Sequence, residues 1–180
     1  HEEGEPEFQH HAAESLPEIT LGDAQGRLLI GELEVPGADS ASKIASPVRT
    51  FSPVLYIDLT LPAGGELQFP AIPGHELGVY SLDPGGLTAG EDQQSIAFGE
   101  LLAWDGASPI TLRAGNADDS KIGESRLVIL GGAPFPERRY LDWNFVSTSK
   151  ERLAQAREDW KEHRFPKVPG DDGYVPLPER

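Results

Sequence analysis

Between residues 53 and 151 the chain is a succession of short β-type runs cut by glycine and proline, a rhythm that restricts it to an antiparallel sheet fold. In residues 54–61 the alternation is unbroken: Leu55, Ile57, Leu59 and Leu61 fall on one face, and Val54, Tyr56, Asp58 and Thr60 on the other. Further runs at 27–35, 66–69, 77–82, 95–98, 101–104, 109–113, 126–130 and 141–146 are separated by turn clusters such as Pro62-Ala63-Gly64-Gly65, Asp83-Pro84-Gly85-Gly86 and Asp105-Gly106. Strands recurring every ten residues or so predict a β-sandwich or barrel. With 180 residues there is room for one core and terminal arms.

A capping-box pattern, Thr148-Ser149-Lys150-Glu151, predicts that a helix follows the last strand. Leu153, Ala156 and Trp160 would form its apolar stripe for packing on the barrel, and Pro166 would stop it. The ending at 165–178 places proline among regularly spaced apolar residues and reads as an extended strap. Residues 1–18 are acidic and aperiodic, and 37–46 form a polar loop. The expected organisation is an acidic arm at 1–20, a barrel at 21–147, and a helix with strap at 148–180.

The formal net charge of −15 repels phosphate backbones and excludes direct nucleic-acid binding as the default, while leaving protein partners with basic patches open. No cysteine is present, which removes disulfides, thiolate metal sites and cysteine nucleophiles. No apolar run approaches the roughly 18 residues of a membrane span, so neither membrane insertion nor membrane partners are expected, and a soluble cytoplasmic protein is the default. The absence of methionine, even at position 1, leaves two readings, removal of the initiator or translation starting upstream of residue 1, of which the second is preferred.

The order of Leu55-Tyr56-Ile57-Asp58-Leu59-Thr60-Leu61-Pro62-Ala63-Gly64, Gly78-Val79-Tyr80-Ser81-Leu82, Gly99-Glu100-Leu101-Leu102, Ile110-Thr111-Leu112-Arg113-Ala114 and Leu127-Val128-Ile129-Leu130-Gly131-Gly132 resembles the C-terminal cupin half of the pirin family. Trp143-Asn144-Phe145-Val146, Arg164-Phe165-Pro166 and Pro169-Gly170-Asp171 are similar to the ending of its bacterial members. The resemblance implies an all-β cupin barrel or jelly roll with one C-terminal helix and a proline-rich tail. Pirins carry two such barrels, with the metal and the known activity in the N-terminal one, and the matched motifs here belong to the other. The implied role is a non-catalytic, metal-free partner of an N-terminal cupin. Fe or another divalent metal and a quercetin 2,3-dioxygenase-like activity would then reside in that other half. A transcription-factor-binding regulatory protein is a further reading that the family suggests.

A cupin metal site needs two histidines one residue apart, a nearby glutamate and a third histidine from a later strand. His75 lies near the first position, but Leu77 stands where the second histidine would fall, and residues 110–121 contain none. His75 is therefore a metal candidate set against a plain loop residue, and the loop reading is preferred. His10-His11 are adjacent on the arm and lack a fixed surrounding shell. There is no Gly-x-Ser-x-Gly elbow and no phosphate-cradling loop, so no catalytic or cofactor-binding residue is assigned. Asp58 and Arg113 are read as solvent-facing strand charges. Tyr140, Trp143, Phe145 and Trp160 are read as a core or strap contact, and Trp104, beside Asp105-Gly106, as a residue of the barrel mouth where a small ligand would bind.

Overall fold

A computed structural model describes residues 3–5, 7–35, 42–115 and 124–178. Parts of the 1–20 arm, residues 37–41 of the stretch expected as a polar loop and the last residues of the 110–121 stretch lie outside the described residues; the rest of that expected loop is not loop, since residues 42–45 form a strand. The chain divides into two compact units, Glu5–Pro134 and a second made of Phe135–Arg180 with His1–Gly4.

In the first unit the strands are β1 (Glu18–Leu21), β2 (Ala24–Ile30), β3 (Glu32–Val35), β4 (Ser42–Ala45), β5 (Val54–Leu61), β6 (Glu66–Phe69), β7 (Glu76–Ser81), β8 (Leu87–Ala89), β9 (Gln94–Ile96), β10 (Leu101–Trp104), β11 (Ile110–Ala114) and β12 (Ser125–Gly132). They form a six-stranded sheet in the order β1-β2-β5-β12-β7-β10 and a four-stranded sheet in the order β6-β11-β8-β9, with β3-β4 as a separate hairpin. Every strand pairing among the described residues of this unit is antiparallel. Ile57, Leu59, Val79, Leu127 and Ile129 from the larger sheet share one buried core with Leu67, Phe69, Leu87, Ile96 and Leu112 from the smaller. The architecture is the jelly-roll form of the expected fold. Its two sheets stay separate among the described residues and do not close into a barrel.

The alternation read in residues 54–61 is the burial pattern of β5, whose Leu55, Ile57, Leu59 and Leu61 are all buried. The single run expected at 27–35 is instead two strands. Gly31 breaks it with φ +90°, and its absent Cβ would lie 2.0 Å from the Val54 carbonyl oxygen, so only glycine fits that approach. Past this kink β3 leaves the six-stranded sheet and pairs with β4.

The second unit holds the hairpin β13 (Tyr140–Asp142) and β14 (Phe145–Ser147), followed by α1 (Lys150–Lys161). Leu153 and Ala156 are buried, and α1 packs on the β13–β14 hairpin of its own unit. Arg157 ties the helix to β13 through both carboxylate oxygens of Asp142, at 3.1 and 3.2 Å. The N-cap is Ser149, one residue later than the sequence pattern indicates. Its hydroxyl accepts from the Arg152 N–H at 3.1 Å and donates to the Glu151 carboxylate at 2.8 Å. The helix ends before Pro166 is reached: His163 enters the left-handed region at φ 55°, its N–H bonds the Trp160 carbonyl, and the Arg164 N–H bonds that of Asp159. These two reversed bonds make a Schellman ending.

Backbone hydrogen bonding at the helix start, then the Ser149 hydroxyl, hold the Glu151 carboxyl below its ordinary value. A carboxyl whose folded value is depressed stabilises the fold above its unfolded value and loses that contribution as pH falls through the folded one. Ser149→Ala is expected to lower stability by about 1 kcal/mol and to flatten part of the acid limb of a pH series of urea melts. An unchanged melt would show that the cap contributes nothing.

The strap is held on its own unit. The Trp160 indole N–H donates to the Val175 carbonyl at 2.8 Å, the Tyr174 ring stacks on Trp160 at 5.8 Å, and Phe165 stacks on Phe145 at 5.7 Å. Among the described residues no helix is long and apolar enough to cross a membrane.

Candidate functional site

The sequence-flagged residues His75 and Trp104 come together at one end of the first unit. Trp104 closes β10 opposite Leu77 of β7, and the same register carried past the strand ends brings Gly106 against the loop that holds His75. The Ile72 N–H bonds the Gly106 carbonyl at 2.8 Å. Gly106, at φ +66°, would place a Cβ 2.7 Å from the His75 carbonyl oxygen and 2.9 Å from that of Ile72, which explains glycine after Asp105. Asp105 closes its own turn by accepting from the Ala107 N–H at 3.0 Å.

His75 stands one residue before β7, in the phase of its buried Leu77 and Val79, and Trp104 shares a face of β10 with Leu102, these last two both packed against the core. The Trp104 ring meets Phe69 edge-on, with centroids 6.1 Å apart and planes at 85°. His75 Nδ1 and Trp104 Nε1 are buried and have no hydrogen-bond partner among the described residues. Buried polar atoms are nearly always paired, so two such atoms at one end of one sheet mark this place chemically.

His75 also lines a cleft of about 730 Å³. Its walls come from the β3–β4 hairpin, the segment leading into β5, and the Pro70-Ala71-Ile72-Pro73 loop. Leu33, Val48, Leu55 and Ile72 give it an apolar side, and Glu32, Glu34, Lys43 and Thr50 a polar one. Lys43 pairs with Glu32 at 2.7 Å and lies opposite Glu34 in the hairpin register. This volume lies within the range of small-molecule sites.

The donors present do not fit a metal. Leu77 occupies the inward position where a second histidine would stand, and Glu76 projects from the opposite, exposed face. Among the described residues no three His, Asp or Glu side chains converge on one point. His10 and His11 lie on the arm, where His11 Nε2 approaches the Gln9 amide oxygen at 3.5 Å.

The strand charges read as solvent-facing are in surface pairs. Asp58 accepts from Arg126 at 3.0 and 2.6 Å, and this hydrogen bonding, then the charge of Asp58, holds the Arg126 guanidinium above its ordinary value. Arg113 pairs with Glu66, its register partner, at 2.6 Å. In the second unit Trp143, Phe145 and Trp160 form the expected cluster, with centroids 5.2 to 6.3 Å apart. Tyr140 instead receives Arg138 and Lys150 over its ring, at 5.0 and 5.1 Å.

Residues 56–166 match the Pirin C-terminal cupin domain family. A pirin-like protein of Caulobacter vibrioides is 30% identical over 99% of this chain and 56% of its own length. A Pseudomonas aeruginosa protein provisionally named a quercetin 2,3-dioxygenase is 33% identical over 87% of this chain and 44% of its own. The crystal structure of a quercetin 2,3-dioxygenase from Acinetobacter baumannii superposes with a TM-score of 0.71 at 25% identity, covering 92% of this chain and 50% of that one. The chain thus spans about half the length of the relatives it matches. The matched segment, the jelly-roll sheets and the helix that follows them together show that this chain belongs to the pirin family, as its C-terminal cupin domain.

Proposed function

We propose that this domain is the non-catalytic half of a two-cupin pirin, a structural and binding partner for an N-terminal cupin that carries Fe or another divalent metal. The observation that carries the reading is the entry to β7, where two residues after His75 the buried Leu77 stands in place of a second donor. A lone imidazole holds a divalent ion too weakly to keep it through purification, because a closed site needs three or four ligands at one point. On this reading the half-length match to the Acinetobacter dioxygenase is a match to its supporting half, and the longer polypeptide is the quercetin 2,3-dioxygenase-like oxygenase. The acidic surface, with its net charge of −15, adds a second kind of contact, to proteins with basic patches. The transcription-factor-binding reading would use that surface in the cytoplasm, without touching nucleic acid itself.

Equilibrating the purified chain with Fe(II), Mn(II), Ni(II) or Zn(II), followed by desalting and elemental analysis, tests the division of labour. Well under one equivalent of each metal is expected to remain, and His75→Ala is expected to leave that residue of metal unchanged. One tightly held equivalent that disappears in His75→Ala would overturn the proposal. Oxygen uptake with quercetin by the 180-residue chain alone would overturn it equally.

A further inference from the structure

The helix end and strap of the second unit border a cavity of about 410 Å³, whose walls include Trp160, His163, Phe165 and Tyr174 together with Asp171 and Asp172. All of these residues belong to one compact unit. The rings are inclined to one another: Tyr174 is near-parallel to Trp160, with centroids 5.8 Å apart and planes at 24°, whereas Phe165 stands at 64° to Trp160 at 5.6 Å. Near-parallel rings at that spacing are offset, so neither covers the whole face of the other. The Trp160 N–H is taken up by the Val175 carbonyl, and Phe165 stacks on Phe145. What these walls offer a guest is therefore ring surface and carboxylate. We infer that this cavity binds a small soluble organic cation with a methylated ammonium group, held against the rings of Trp160, Phe165 and Tyr174 with its charge balanced by Asp171 and Asp172.

The face of an aromatic ring is the negative part of its quadrupole and attracts a cation lying within about 6 Å of the ring centre. Methylation decides which cation suits the site. A bare ammonium is a compact, strongly hydrated charge whose N–H donors gain little from ring faces in exchange for water. A trimethylammonium group spreads its charge over methyls that pack on those faces. Lys167 also borders the cavity, but Asp171 and Asp172 outnumber it, and it stands 3.9 Å from Asp172, too far for a hydrogen bond. Asp171 is fixed in place by the Gly173 N–H at 2.7 Å. The nearby Arg164 is already paired with Asp159 and Glu162, so it does not compete for these carboxylates. At longer range the net charge of −15 draws cations toward the chain and disfavours anions. The volume lies within the range that holds a whole small molecule, which favours a soluble ligand over a lipid headgroup.

The test is a titration of the full chain with choline, and with its neutral carbon isostere 3,3-dimethylbutan-1-ol, followed by the indole N–H signals of its three tryptophans in a 1H–15N spectrum. Trp104→Phe and Trp143→Phe identify two of the signals and leave that of Trp160. Choline is expected to move the Trp160 signal saturably, and the isostere to leave it in place. Tyr174→Ala should weaken the apparent affinity by about two- to fivefold, the size of one exposed ring–cation contact, while Tyr174→Phe, which keeps the ring, should retain it. Replacing both Asp171 and Asp172 by Asn leaves every ring in place and should cost about twofold or more at low salt, a difference that shrinks as NaCl is added. Absence of a saturable shift with choline, an equal response to the isostere, or full affinity in either the Tyr174→Ala or the double Asn variant would each overturn the assignment. Sedimentation of the chain with phosphatidylcholine vesicles would overturn a soluble ligand as the source of the group.

Discussion

Phe69→Ala is expected to lower the unfolding free energy by about 3–5 kcal/mol, the range for truncating a fully buried aromatic side chain. Phe69 is 0% exposed, ends β6 opposite Ile110, and belongs to the core shared by both sheets. Its ring also supports the Trp104 indole edge-on at 6.1 Å. Truncation therefore removes transfer free energy, leaves a cavity between the sheets and frees the one side chain that closes the inward end of β10. At roughly 2–4 °C per kcal/mol for a chain of this size, the midpoint should fall by roughly 6–20 °C. Tryptophan emission should shift to longer wavelength before the main transition, as Trp104 gains water. Tyr56→Ala, on the outer face of β5 and 37% exposed, is the matched control and should cost about 1 kcal/mol or less. If Phe69→Ala were as mild as Tyr56→Ala, the sheets would not be packed on each other as described.

The parts of the fold legible in the sequence were those with a sustained period. β5 announced itself because four buried leucine and isoleucine residues alternate with the less buried Val54, Tyr56, Asp58 and Thr60 over eight residues. β1 did not, because four residues carrying only Ile19 and Leu21 inward are too short for a period and lie beside an acidic, aperiodic arm. The division of residues 27–35 into β2 and β3 escaped for a different reason. It depends on the φ of Gly31, and a glycine inside an apolar run has no sequence mark that separates a kink from a plain strand position. The shift of the helix cap from Thr148 to Ser149 has another cause: only Thr148 has a glutamate three residues on, but Ser149 is the residue whose extended backbone lets its hydroxyl reach the Arg152 N–H.

The candidate site was legible as two separate residues and not as a site. His75 stood out as an isolated imidazole and Trp104 as an aromatic residue before a turn, but nothing in the linear order joins position 75 to position 104. The antiparallel register of β7 and β10 does so, and the missing hydrogen-bond partners are a property of three-dimensional packing alone. The β4 part of the cleft wall was hidden further, since residues 42–45 fall in a stretch that reads as a polar loop. The one linear trace of the site is the Pro70-Ala71-Ile72-Pro73-Gly74 run before His75, where two prolines stiffen the loop that turns the imidazole inward.

Gly31→Val should be the most damaging change at a single glycine near this cleft. The valine must accept φ +90°, which costs a β-branched residue about 1–3 kcal/mol, and must place a Cβ 2.0 Å from the Val54 carbonyl oxygen. That second contact is with backbone and has no flexible side chain to move, so a further 1–3 kcal/mol of overpacking, roughly, is expected. Either β2 separates from β5 at Ile30, paired with Tyr56, or β3 is displaced with its hairpin. Both outcomes open the cleft wall that Leu33 and Leu55 build, so the loss of stability should come with a change in the shape of the cleft. Gly74→Ala separates the two causes. Gly74 also has positive φ, +84°, but nothing lies within 4 Å of its would-be Cβ. It should lose only the conformational part, about 1 kcal/mol, and keep the cleft. Equal losses in urea melts of the two variants would mean that φ alone sets the cost. A far larger loss in Gly31→Val would show that the close passage of the chain past Val54 is what shapes this end of the fold.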